Sequence, residues 1–275
     1  MKKESIHKLI VASILACTAS VSQATSVDTW NYSIEMSWTH AVFSSSNDAN
    51  ASTKFGSTLL SWGYKDGADD ALFGYGAEPS AVRSSLNITD PKGTGTIFTD
   101  SSVSKVNMFR HTNNAINSTY PALTEATLSV VINLTPNGGT KPITLSKDFD
   151  IFFWETPNTG GTCMWGPCSN DLFAFASLPQ IYEDFVYDGI TYRFEYFQTS
   201  GPGAIQEFSA AVCGQISGGK LTTSCFGFQT AEHANTTLQF GFSVSSIPEP
   251  GTYAMLLAGL GLVGVVVRRR RSIYN

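Results

Sequence analysis

The stretch "WNYSIEMSW" sets Trp30, Tyr32, Ile34, Met36 and Trp38 against Asn31, Ser33, Glu35 and Ser37, an alternation of period two that predicts a strand with one buried face. It returns in "ATLSVVINL", with Leu128, Val130, Ile132 and Leu134 on one side, and in "TLQFGFSV", with Leu238, Phe240, Phe242 and Val244. In "YEDFVYDGITYRFEYF" the dipeptide Asp188-Gly189 is a two-residue turn whose positive φ angles match strand twist, so its flanks should form a hairpin. That register pairs Phe185 with Tyr192 on one face and Asp184 with Arg193 on the other. Helical periodicity is scarce away from the termini. Aromatic strands spaced by Gly, Pro, Asn and Ser clusters predict an all-β fold, an antiparallel β-sandwich of jelly-roll type.

Both ends break the alternation. Lys2, Lys3 and Lys8 precede a short apolar run over residues 9–17, and Ser22-Gln23-Ala24 follows with small residues. These are the parts of a secretory signal peptide, cleaved between Ala24 and Thr25. The run is too short to span a bilayer; lipid attachment at Cys17 is the alternative to simple cleavage. At the other end residues 252–267 are apolar after the first positions, and as a helix they would extend about 24 Å, the short limit of a membrane span. Gly259, Gly261 and Gly264 would be costly in a soluble helix but are common in membrane ones. Arg268, Arg269, Arg270 and Arg271 would stay cytoplasmic, leaving everything before Pro248 outside. The chain therefore divides into a signal peptide (1–24), a β ectodomain (25–246) and a C-terminal segment with a transmembrane helix (247–275).

Pro248, Glu249 and Pro250, then the apolar run, then the arginine cluster, in that order and at the C-terminus, resemble the PEP-CTERM sorting signal of exported proteins in Gram-negative bacteria that make exopolysaccharide. The resemblance implies a precursor held transiently in the inner membrane, exosortase and signal peptidase as processing enzymes, and delivery to the cell surface or extracellular matrix. Physically, the prolines keep the approach to the membrane extended and poor in hydrogen bonds, open to a protease-like groove.

Removing the ends alters the charge. The signal peptide carries +2 and the tail +4, so the formal −5 of the whole chain becomes −11 for residues 25–250. Such an acidic domain is ill suited to nucleic acid or anionic lipid and suited to solubility or divalent cations. Four cysteines remain after the leader: Cys163, Cys168, Cys213 and Cys225. In an exported chain they read as two disulfides, by proximity Cys163 with Cys168 and Cys213 with Cys225, although three connectivities are open. Zinc is disfavoured because neither pair is C-x-x-C and His233 is the sole imidazole nearby.

Candidate chemistry is spread thinly. "FRHTNNAI" gathers His111, Asn113 and Asn114; "FDIFFWETPN" ends a strand at Glu155 and turns at Pro157-Asn158; "CSNDLFAFAS" opens one at Asp171; "CFGFQTAEHANTTLQF" puts Glu232 in a loop before the last strand. With "LLSWGY", "SSLNIT" and "YRFEYF", these pieces resemble the THxN family of PEP-CTERM proteins, with Arg110 standing where that family usually has Thr. That resemblance implies no established enzymatic activity. No serine, cysteine or carboxylate near His111 forms a nucleophile motif. Paired carboxylates at Glu155 and Asp171, about 5 to 10 Å apart on a concave face, would make the alternative, a carbohydrate-active hydrolase. No cofactor is expected beyond a possible calcium ion, for which His111, Asn113, Glu155, Asn158, Asp171 and Glu232 are the candidate ligands and Asp66, Asp69 and Asp70 a second acidic group. Trp62, Tyr64, Tyr75 or Trp165 could stack on sugar rings. The resulting expectation is a non-enzymatic envelope or matrix protein associated with exopolysaccharide or biofilm through sugar or calcium.

Overall fold

The structure, a computed structural model, describes residues 26–49, 51–64, 83–101, 103–158, 160–199, 204–248, 257–261 and 263. The signal peptide with its cleavage point, Asp66, Asp69, Asp70, Tyr75, Glu249, Pro250 and Arg268 to Arg271 lie outside the described residues. So does most of the apolar tail; Leu257 to Gly261 and Val263 are helical and exposed, and among the described residues no helix is long and apolar enough to cross a membrane.

The chain falls into two compact units, one of Val27–Phe185 with Arg193–Ser245, the other of Met1–Ser26, Val186–Tyr192 and Ser246–Asn275. The strands are β1 (Thr29–Phe43), β2 (Ala51–Phe55), β3 (Leu59–Tyr64), β4 (Arg83–Ile88), β5 (Lys92–Phe98), β6 (Ser104–Asn113), β7 (Leu123–Pro136) and β8 (Ile143–Trp154). After these come β9 (Thr162–Cys163), β10 (Gly166–Pro167), β11 (Asp171–Phe175), β12 (Ile181–Tyr187), β13 (Ile190–Gln198), β14 (Gln206–Phe208), β15 (Cys225–Thr230) and β16 (Ala234–Ile247). They pair antiparallel into two seven-stranded sheets, ordered β14-β15-β11-β8-β7-β1-β5 and β12-β13-β16-β6-β4-β3-β2, with β9 and β10 forming a separate ribbon. The fold is all-β and antiparallel, as the alternation predicted.

Period two determines what is buried. In β1 the side chains of Trp30, Ile34, Met36 and Trp38 are buried; in β7 those of Leu128, Val130, Ile132 and Leu134; in β16 those of Leu238, Phe240, Phe242 and Val244. Within the larger unit, rings of the two sheets meet. Trp62 of β3 lies 5.0 Å from Phe153 of β8, Phe109 of β6 lies 5.9 Å from Phe228 of β15, and Tyr32 of β1 stands edge-on to Phe242 of β16 at 4.9 Å. Such pairs contribute about 0.5–1.5 kcal/mol each beyond area burial. One close approach is possible only at a glycine, because a Cβ at Gly227 of β15 would sit 1.8 Å from the carbonyl oxygen of Phe173 in β11.

Asp188 and Gly189 take positive φ, 49° and 79°, at the predicted turn. Arg193 grips Asp184 with two parallel bonds, Nε to Oδ1 at 2.8 Å and Nη2 to Oδ2 at 3.0 Å, and this holds the Asp184 carboxyl below its ordinary range. Both disulfides join neighbours in sequence, Cys163–Cys168 and Cys213–Cys225. One short helix, α1 (Ala210–Ile216), was not expected. At seven residues it is too brief to show a periodic signal, and it is held by the Ser209 hydroxyl accepting from the Val212 amide and by the Cys213 bridge to β15.

Candidate functional site

Polar side chains that sequence scatters over more than a hundred residues converge where several strands begin or end. Leu172 pairs with Trp154, so the residue after β8, Glu155, comes beside the residue that opens β11, Asp171. Asp171 in turn pairs with Thr230 at the end of β15, two residues before Glu232. From the other sheet, Asn113 closes β6 opposite Ala234 and donates through Nδ2 to the Thr230 carbonyl at 3.0 Å.

The carboxyl oxygens can be assigned one by one. Glu155 Oε2 accepts from the indole Nε1 of Trp62 at 3.0 Å, and Asp171 Oδ1 accepts from the backbone N–H of Thr156 at 3.0 Å and from its hydroxyl at 3.4 Å. The remaining two, Glu155 Oε1 and Asp171 Oδ2, are out of solvent reach and meet no donor. The two carboxyls lie near enough to act on each other, the Glu155 charge raising Asp171. A proton kept at this pair would relieve the repulsion that two buried carboxylates would suffer.

Electrostatics favours the same protonation. Burial pushes the Glu155 carboxyl up to about 8, with the Glu232 charge adding to it against the opposing bonds from Trp62 and Asp171. Asp171 is raised well above its ordinary value, by burial first and then by the charge of Glu155. Glu232, half-buried, is raised chiefly by burial, while the neighbouring His233 and then Asn113 pull the other way. Glu155 as a whole is partly exposed although its Oε1 is not.

His111 adds no positive charge. Its ring is fully buried, stacked on Trp62 at 6.1 Å with an 11° tilt and flanked by Phe173 at 4.5 Å and Phe153 at 5.6 Å. Neither ring nitrogen has a partner, and burial lowers its pKa to about 3, so the imidazole is neutral throughout ordinary pH. Asn114 is structural: Nδ2 donates to the Arg83 carbonyl at 2.7 Å, and its N–H meets Ser84 Oγ at 3.1 Å.

Of the six candidate ligands, Glu155, Asp171, Glu232 and Asn113 interact with one another, His111 stacks on the same Trp62 that bonds Glu155, and Asn158 stands apart, donating through Nδ2 to the Ile116 carbonyl at 2.9 Å. Among the described residues, no group of three or more His, Cys, Asp or Glu is arranged to hold a metal ion. Trp62, read as a sugar platform, is wholly buried and serves instead as a hydrogen-bond donor. Trp165 packs edge-on against Trp154 at 4.9 Å, and Tyr64 lies 6.2 Å from Tyr120. Sequence reading missed Thr156 and Tyr120. Thr156 follows Glu155 directly and could have been suspected as a clamp; nothing local marks Tyr120. Beside the carboxyl pair lies a cavity of about 510 Å³, with Glu155, Thr156, Asn158 and Tyr120 in its wall.

Among curated proteins none matches this chain. Residues 246–271 match the family model described as the PEP-CTERM protein-sorting motif. The motif indicates an exosortase-sorted, exported protein whose membrane-anchored precursor is directed to the cell surface.

Proposed function

We propose that the chain is a non-enzymatic protein of the cell envelope or extracellular matrix, processed by exosortase near Pro248 and associated with exopolysaccharide through its β domain. We take that domain to be a jelly-roll-like sandwich of the THxN kind. The observation that carries the proposal is the sorting motif at residues 246–271, which begins as β16 ends. The meeting of aromatic rings from the two sheets supports the sandwich. His111 and Asn113 at the end of β6 support the THxN likeness, with Arg110 as its departure. The non-enzymatic reading is supported by the burial of Glu155 Oε1 and Asp171 Oδ2 out of solvent reach, since glycoside hydrolysis needs its two carboxyls open to a substrate held between them. No cofactor is assigned.

Mass spectrometry of the exported protein tests this reading. It should find an N-terminus at Thr25 and no residue beyond the Pro-Glu-Pro region. Secreted material that keeps Arg268 to Arg271 would contradict it. A screen for release of reducing sugar from the producer's own polysaccharide tests the other half, and turnover abolished by Glu155→Gln would establish the hydrolase instead.

A further inference from the structure

We infer that the cavity beside Glu155 is a binding site for one neutral, polyhydroxylated ring, such as a hexose unit of a glycan, seated against Tyr120. This inference rests on the polysaccharide association proposed above and gives it a place. The cavity's volume, about 510 Å³, lies in the range of about 300–1,000 Å³ in which small-molecule sites fall.

Charge decides the ligand class first. No Lys, Arg or His is in the wall, so there is nothing to neutralise an anion. Close by, Asp48 accepts from the Thr119 hydroxyl at 3.3 Å and faces Tyr120, where its charge, after burial, helps to hold the phenol above its ordinary value. An anionic sugar would be repelled there. A cation finds little either, since Glu155 Oε2 is taken by Trp62 and Oε1 is out of solvent reach.

Hydrogen bonding then narrows the class. The Tyr120 hydroxyl and Ser118 Oγ make no hydrogen bond among the described residues. Asn117 commits its Oδ1 to the N–H and hydroxyl of Thr119 at 3.0 Å, which leaves its Nδ2 to give. Asn158 commits Nδ2 to Ile116, which leaves its Oδ1 to accept. Two hydroxyls, a donor and an acceptor thus line one cavity together with an aromatic ring. Hydroxyls that both give and take bonds, on a ring with an apolar face, satisfy that set; a purely apolar ligand would leave it unpaired.

The test is ligand-observed NMR on the purified full-length chain in detergent, with methyl glycosides of glucose, galactose and mannose and with glucuronate. At least one neutral glycoside should show saturation transfer, and glucuronate should show none. Tyr120→Ala should weaken binding at least tenfold, and Ser118→Trp, which fills the cavity from an exposed position, should abolish it with an unchanged melting temperature. Transfer to no neutral glycoside, preference for glucuronate, or undiminished binding in Ser118→Trp would each overturn the site. If polysaccharide still binds the Ser118→Trp chain, the site falls while the association stands; if polysaccharide fails to bind the parent chain, the association itself falls.

Discussion

Replacing Glu155 by Gln should change how stability depends on pH, in a direction that the buried site dictates. In the folded chain Glu155 keeps its proton up to about pH 8, whereas unfolded it releases it near 4.5. His111 does the opposite, staying neutral down to about pH 3 when folded and taking a proton near 6.5 when unfolded. A carboxyl raised by folding contributes stability that is complete below its unfolded pKa and lost as pH rises through its folded one; a histidine lowered by folding loses its contribution as pH falls. Between pH 4.5 and 6.5 the proton counts of these two groups cancel, so together they contribute no slope there. From 6.5 to about 8 only the Glu155 proton differs, and at about 1.4 kcal/mol per pH unit the chain should lose about 2 kcal/mol. From 4.5 down to about 3 the His111 side removes a similar amount, about 2 kcal/mol. Asp171, raised in the same sense from its ordinary 3.8, adds a fall with rising pH that starts within the acid limb, so wherever it keeps a proton of its own it tilts the middle range downward as well.

In Glu155→Gln the amide oxygen can still accept from Trp62 and the side chain carries no titrating proton, so the Glu155 contribution to the pH dependence is removed. Urea unfolding followed by tryptophan fluorescence at half-unit steps from pH 3 to 9 measures both profiles. The variant should lose most of the fall above pH 6.5 and gain a rising slope between 4.5 and 6.5. A parent profile that is flat to pH 9, or a variant whose alkaline limb is as steep as the parent's, would refute the proton retained at Glu155.

Three other outcomes follow from the packing. Gly227→Ala forces a methyl to within 1.8 Å of the Phe173 carbonyl oxygen in the neighbouring strand, so the loss should exceed the about 1–3 kcal/mol of ordinary overpacking and appear as insoluble protein; a soluble variant with the parent's melting temperature would contradict the geometry. Changing Cys213 and Cys225 together to Ser opens a loop with a sequence separation of 12 and should cost about 3 kcal/mol in urea unfolding. With no cofactor assigned, EDTA followed by added calcium should leave the thermal melt unmoved, and a calcium-dependent rise of several degrees would return Glu155, Asp171 and Glu232 to the role of ligands.

Much of the fold was legible because burial alternates with the pleat. β1, β7 and β16 declare their inner faces through large apolar side chains, and the Asp188-Gly189 turn declares its hairpin. Strand ends were legible too: Glu155 directly follows β8 and Asp171 opens β11. Their contact was not, since it depends on β8 lying beside β11, a pairing that no local pattern encodes. In β6 the inner face runs Asn107, Phe109, His111, Asn113, period two with three polar members, so a hydrophobicity scan passes over it. Trp62 illustrates the converse limit: an indole in an alternating strand reads the same whether it faces ligand or core, and only the opposite sheet decides.

Strand order also bears on how the chain reaches its fold. β1, the first of the described strands in chain order, lies between β5 and β7, and its Trp30 is paired with Pro136. Its neighbour β7 arrives a hundred residues later, and the far side of that sheet waits for β15. Contacts so distant along the chain make for slow folding and a long interval in which a strand carrying Trp30, Ile34, Met36 and Trp38 has nothing to cover it. A chain built this way cannot assemble by accretion from its leading end. It has to be kept from sticking until more than half of it is present.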